Sequence, residues 1–202
     1  MRNAIYPYAG FWKRVGASIL DSLIIGIPMG ILLVLIIVGM VSSGAVATGQ
    51  EMSLEMQLKF QGIIWAFRLC SCLVFLLYGA GMESSSYQAT FGKKILGIKV
   101  VDKNGEQLSF WHAFGRNIGK WVSALTLNIG YFMAGATRKK QALHDIMASA
   151  YVVDDQYIPG EELPEVQPHW GLLALAVVLE ILPIILLIGF LSFAIAMGAA
   201  AQ

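Results

Sequence analysis

Arg14 and Asp21 stand seven residues apart in "KRVGASILDSLIIGIPMGILLVLIIVGM", a run that from Gly16 onward is apolar enough to cross a bilayer. Two more charges interrupt apolar runs: Arg68 in "FQGIIWAFRLCSCLVFLLYGAGM" and Glu180 in "WGLLALAVVLEILPIILLIGFLSFAIAM". A charged side chain at the bilayer centre costs about 2.5–3.5 kcal/mol on insertion scales, so such residues are rare and mark ion, proton or solute paths. Burial disfavours the charged form of a carboxylate, which suits it to take up a proton or a sodium ion; a neighbouring arginine works the other way. The competing reading is that such charges pair between helices and fix packing. Bond-making catalysis is not expected. Cys70 and Cys72 are two apart, so on a helix they do not face each other, and there is no metal-type Cys/His spacing and no cofactor motif. His144 adjoins Asp145, but no serine or cysteine nucleophile with supporting context accompanies it, and it reads as a helix-surface histidine.

The elements that must position these charges are helices. Of 202 residues, 57% are hydrophobic and 13% charged, against about 25% charged in a soluble domain. The net charge of +1 gives no field for nucleic acid. A spanning helix needs about 20 apolar residues, and three segments qualify: about 15–41, 60–82 and 170–198. A fourth, within about 117–136, is shorter and is interrupted by "NIG" at 128–130, which suits a re-entrant or interfacial pair of half-helices. Arg2, Lys13 and Arg14 precede the first span, and Lys93, Lys94, Lys99, Lys103, Arg116 and Lys120 follow the second, while the loop between the spans has almost no basic residues. This asymmetry places the N-terminus and the region 83–120 in the cytoplasm. The fold expected is an all-α integral membrane protein with three transmembrane helices plus one re-entrant segment, four full spans being the alternative. A small cytoplasmic β-hairpin is expected over about 95–110, with strands 95–101 and 107–110 around "DKNG". The β-rich run "SAYVVDD" could extend it, and the Pro- and Glu-rich 154–169 reads as a linker.

"YAGFWKRVGASILDSLI", then "TFGKKILGIKVVDKNGEQLSFWHAFGR", then "KKQALHDIMASAYVV" together resemble the RDD family of bacterial membrane proteins. The resemblance covers about residues 8–153. It implies a conserved-type trio of one arginine and two aspartates, which fall on Arg14, Asp21 and Asp145. It also implies a bacterial inner-membrane protein with a transport-related role, sodium/proton exchange among the possibilities. On a helix Arg14 and Asp21 lie about 10 Å apart along the axis. An arginine fork could therefore hold Asp145 directly and approach Asp21 from below. In the four-span arrangement Glu180 is nearly level with Arg68 and could pair with it. Lys93, Lys94, Arg138, Lys139 and Lys140 read as partners of anionic headgroups. The lipid bilayer is the expected partner, with H+ or Na+ as candidate cargo and a second copy or another membrane subunit completing a pathway too large for three or four helices. If 121–136 re-enters, Lys139→Cys stays unlabelled by an impermeant thiol reagent added outside the cell; labelling would mean that the segment crosses.

Overall fold

The structure, a computed structural model, describes residues 7–42, 53–126, 128–160, 164–167 and six positions between 171 and 183. The expected last span and Glu180 lie outside the described residues, apart from those isolated positions. Helix α1 (Phe11–Ser42) has 32 residues and α2 (Leu54–Glu83) has 30. At 1.5 Å per residue each exceeds the roughly 30 Å hydrocarbon layer, and both are apolar enough to cross it. Ser53 starts α2 as its N-cap, accepting a hydrogen bond from the N–H of Met56 at 3.3 Å. After α2 come α3 (Phe91–Ile95), strand β1 (Ile98–Asp102), α4 (Phe110–Leu125), α5 (Ile129–Ala136), α6 (Leu143–Met147) and strand β2 (Ala150–Asp154).

The segment expected to re-enter or span is two helices, α4 and α5. Asn128 sits between them at φ 58°, the left-handed region that asparagine tolerates. Neither helix alone has the 20 residues a crossing needs. Helix α4 is amphipathic with its polar side turned inward. It buries Arg116, Asn117 and Ser123, while Trp111, Trp121 and Leu125 are exposed. In water that arrangement would be unfavourable; beside lipid it is the expected one.

The β-element is a two-stranded antiparallel ribbon, but its second strand is not 107–110. β1 pairs with β2, with Val100 opposite Val152. "DKNG" does turn, with Asp102 accepting from the N–H groups of Asn104 and Glu106 at 2.8 Å. The chain then leaves the ladder, for three reasons. The other edge of β1 is met by Gln88, whose carbonyl accepts from Val100 N–H. Leu108 enters the core. Ser109 caps α4. Ile98, Val100, Ala150 and Val152 pack against Ala9, Ala17, Leu108 and Ala113. On the opposite face Val101 and Val153 pack with Tyr8 and Tyr157. Residues 7–9 run along β2, with the Ala9 N–H donating to the Val152 carbonyl and the Asp154 N–H to the Pro7 carbonyl. The described part of the expected linker is docked: Val166 N–H donates to the Arg138 carbonyl.

Two glycines set the closest approaches. A Cβ on Gly79 would press into the Asn117 amide and one on Gly92 into the Ala17 carbonyl and Asp21, so α2 meets α4, and α3 meets α1, nearly backbone to side chain. Gly92→Ala is therefore expected to destabilise by about 1–3 kcal/mol through overpacking. Gly26→Ala, inside α1 with nothing within 4 Å of its Cβ, is expected not to destabilise and to gain up to about 1 kcal/mol from the better helix former. Thermal midpoints of the detergent-solubilised variants measure both.

Candidate functional site

Where α1, α2 and α4 come together with α3 and α6, the chain buries a network of charges. Glu83, the last residue of α2, and Asp145, in α6, are fully buried. Arg116 of α4 joins them. Its Nη1 donates to Glu83 Oε2 at 2.8 Å, and its Nε and Nη2 donate to Asp145 Oδ1 at 2.9 and 2.5 Å. Arg14 binds Asp145 Oδ2 through Nη1, and its Nη2 and Nε donate to the carbonyls of Lys140 and Ala9. Glu83 also accepts from the Lys93 ammonium, from Asn117 Nδ2 at 2.9 Å and from Lys120 at 3.4 Å. Asp145 caps its own helix by accepting from Ala142 N–H at 3.1 Å. Burial opposes its negative charge, but the guanidiniums of Arg116 and Arg14 prevail and hold its carboxyl well below the usual range. Burial pushes Lys93 down to about 7, against the pull of Glu83 and with the like charges of Lys120 and Arg116 adding to it.

The expected pairing of Arg14 with Asp145 is present. Asp21 is separate from it, because α2 and α3 supply its partners. Its Oδ1 accepts from the Tyr78 hydroxyl at 2.8 Å and the Gly92 N–H at 2.7 Å, and its Oδ2 from the Thr90 hydroxyl at 2.6 Å. The Tyr78 hydroxyl in turn accepts from Phe91 N–H. Asp21 thus ties α1 to the first turn of α3, whose unmet N–H groups favour an anion. The two clusters are joined through α3, where Gly92 serves Asp21 and its neighbour Lys93 serves Glu83.

Other expected positions shift. Lys93 is buried against Glu83 rather than presented at a surface. Lys94 lies over the Tyr87 ring at 3.5 Å and Lys139 over that of Tyr151 at 5.7 Å. Arg138 pairs with Glu165 at 3.1 Å, and Lys140 offers its carbonyl to Arg14. Arg68 lies over Trp65 at 5.2 Å. His144 is buried, not on a helix surface, with Nδ1 3.1 Å from the Ser123 hydroxyl and Nε2 3.5 Å from Asp145. Burial lowers its pKa to about 3 despite Asp145, so the imidazole is neutral. This chain of serine, histidine and aspartate is sealed: Ser123 has no exposed surface, and Asp145 is committed to two arginines.

Sequence reasoning missed Glu83 and Arg116 as site residues. The available signal was spacing: Arg116, Asn117 and Lys120 share one face of a helix whose other face is tryptophan and leucine.

Two cavities adjoin the network. One, of about 740 Å³, lies between α1, α2 and α4 and is lined by Asp21, Arg68, Ser71, Tyr78, Asn117 and Lys120. The other, of about 590 Å³, lies beside α1 and α5 and is lined by Arg14, Asp21, Lys93, Arg116 and Lys120 among others.

Residues 8–149 match the model of the RDD family. The chain is 37% identical over 147 residues to the uncharacterized protein YxaI of Bacillus subtilis, covering 72% of this chain and 96% of YxaI. It is 31% identical to the uncharacterized protein YckC of the same organism, over 78% of this chain and 91% of YckC. It is 27% identical to the uncharacterized membrane protein YteJ, also from Bacillus subtilis, over 75% and 84% of the two chains. No solved structure matches.

Removing one partner of a buried ion pair leaves the other charge uncompensated, at a cost of about 3–5 kcal/mol. Arg116→Gln is expected to lose that much. Arg116→Lys does not restore it, because a single ammonium cannot reach both Glu83 and Asp145 as the guanidinium does. Thermal midpoints and membrane abundance of the two variants, with the exposed Lys103→Ala as control, measure this.

Proposed function

As the chain belongs to the RDD family of membrane proteins, we propose that it is a transport-related, non-enzymatic protein of the bacterial plasma membrane. In this reading it is multi-pass, its N-terminus lies in the cytoplasm, and it moves a proton, a sodium ion or a small solute past Asp21. The observation that carries the proposal is the cavity of about 740 Å³ between the two spanning-length helices, which sets Asp21, Arg68 and Lys120 around one space. Polar and charged groups facing a shared cavity inside spanning segments mark a pathway. Two described helices enclose little room, which supports a second copy or another membrane subunit as partner.

A second reading has its own support. Every buried side-chain nitrogen or oxygen among the described residues has a hydrogen-bond partner. A fully satisfied network is what a membrane scaffold, with its trio serving folding alone, requires. Asp21 already accepts hydrogen bonds from Tyr78, Gly92 and Thr90, which fill three of the roughly four acceptor positions of its carboxylate.

Sodium-driven proton movement in everted vesicles separates the readings. The transport proposal expects movement above that of empty vesicles in wild type, and its loss in Asp21→Asn at matched protein abundance. No movement in wild type rejects sodium/proton exchange. Disappearance of Asp21→Asn from the membrane supports the scaffold.

A further inference from the structure

The buried network does not balance its own charge. Arg14, Lys93, Arg116 and Lys120 converge on Glu83 and Asp145, four cations against two carboxylates. Adding Asp21 still leaves a cation in excess among the described residues at this site. His144 adds no charge, being neutral. An uncompensated buried cation is expensive; burial first, and then the like charges of Lys120 and Arg116, lower the Lys93 pKa to about 7, so the excess is present when that ammonium is protonated.

The surplus faces a space. The cavity of about 590 Å³ beside α1 and α5 is lined by all four cations, with the Asp21 carboxylate also on its wall. Their donors are not exhausted. An ammonium has three N–H bonds. Among the described residues Lys93 gives one, to Glu83, and Lys120 gives two, to Glu83 and to Asn117 Oδ1 at 2.6 Å. Arg14 uses one N–H at each of its nitrogens and keeps two of its five. The same cavity is also lined by the apolar side chains of Phe11, Val15, Ile19, Leu23 and Phe132. Ile19 and Leu23 also belong to the outward apolar side of α1, 55% and 49% exposed, so the cavity runs onto the flank of a helix of spanning length.

A cluster of cations that retains donors suits a phosphate. An apolar wall continuous with the lipid-facing flank suits an acyl chain, and free phosphate would leave that wall empty. We propose that this cavity binds an anionic phospholipid, its phosphate among Arg14, Lys93 and Lys120 and an acyl chain along Val15, Ile19 and Phe132. Basic pockets between membrane helices on the cytoplasmic side bind headgroups in this way. The site stands whether or not the chain moves a solute, and its test reads binding alone.

The full chain, reconstituted in phosphatidylcholine nanodiscs, is titrated with fluorescent phosphatidylglycerol, with phosphatidylcholine carrying the same fluorophore, and with inorganic phosphate as competitor. Wild type is expected to bind phosphatidylglycerol at least roughly tenfold more tightly than phosphatidylcholine, with inorganic phosphate a poor competitor. Lys120→Gln, which changes a partly exposed side chain, weakens phosphatidylglycerol roughly tenfold. Ser18→Trp, which puts bulk on the cavity wall and replaces no charged residue, abolishes the preference, and it carries the test should Lys120→Gln fail to fold. Equal affinity for the two lipids overturns the proposal. So does a preference untouched by Ser18→Trp. Competition by inorganic phosphate at comparable concentration overturns the lipid as occupant in favour of a free anion.

Discussion

One guanidinium holds the domain together. Arg116 is 2% exposed and donates to two carboxylates that have no exposed surface at all. Charges so buried are tolerable only in good geometry with their remaining donors and acceptors met. That requirement fixes where everything else goes. Glu83 must end α2 at the level of Arg116, α6 must bring Asp145 to the other side, and α1 must start low enough for Arg14 to reach Asp145. The β-ribbon lies beneath this arrangement, and its strands carry the chain to and from the charged layer.

Apart from the apolar core around the β-ribbon, the helical part of the domain is organised from the inside out. Its polar groups meet in the interior and its apolar side chains point outward along α1, α2 and α4. In water the hydrophobic effect would oppose such a distribution; in hydrocarbon, close packing and internal hydrogen bonds hold helices together instead. Small residues at the contacts make this feasible. Gly79 lets α4 bring Asn117 against α2, and Gly92 lets α3 come close enough for its backbone to serve Asp21.

The sequence made part of this legible. Arg14 and Asp21 stand out because a charge inside an apolar run has few bland explanations, and the three-part motif tied Asp145 to them. The break at "NIG" marked the division between α4 and α5, since asparagine and glycine resist a helix interior. Glu83 gave no comparable sign: it closes an apolar run where a charge is ordinary. Arg116 and Lys93 read as members of a basic segment that orients the chain, and only folding shows that they turn inward. The strand pairing misled for a related reason. "DKNG" forms the turn it promises, but a turn does not oblige both flanks to pair, and "AYVVD" from far along the chain competes for β1 with a better apolar pattern. Tertiary contacts decide such cases, and no local pattern records them.

The partners of Arg14 and of the segment just before the first helix come from the far end of the domain. Arg14 must wait for Asp145, 131 residues later, and Pro7 and Ala9 for Asp154 and Val152. A ribosome adds about 5–20 residues per second. For several seconds of synthesis, therefore, α1 and α2 exist with Arg14 and Glu83 lacking Asp145 and Arg116. During that interval water, lipid headgroups or the insertion machinery must shelter the charges, and a break in the chain before α6 would leave the helices inserted but unlocked. Completion of this protein is thus a late event, fixed when the last strand arrives and closes over a segment made first.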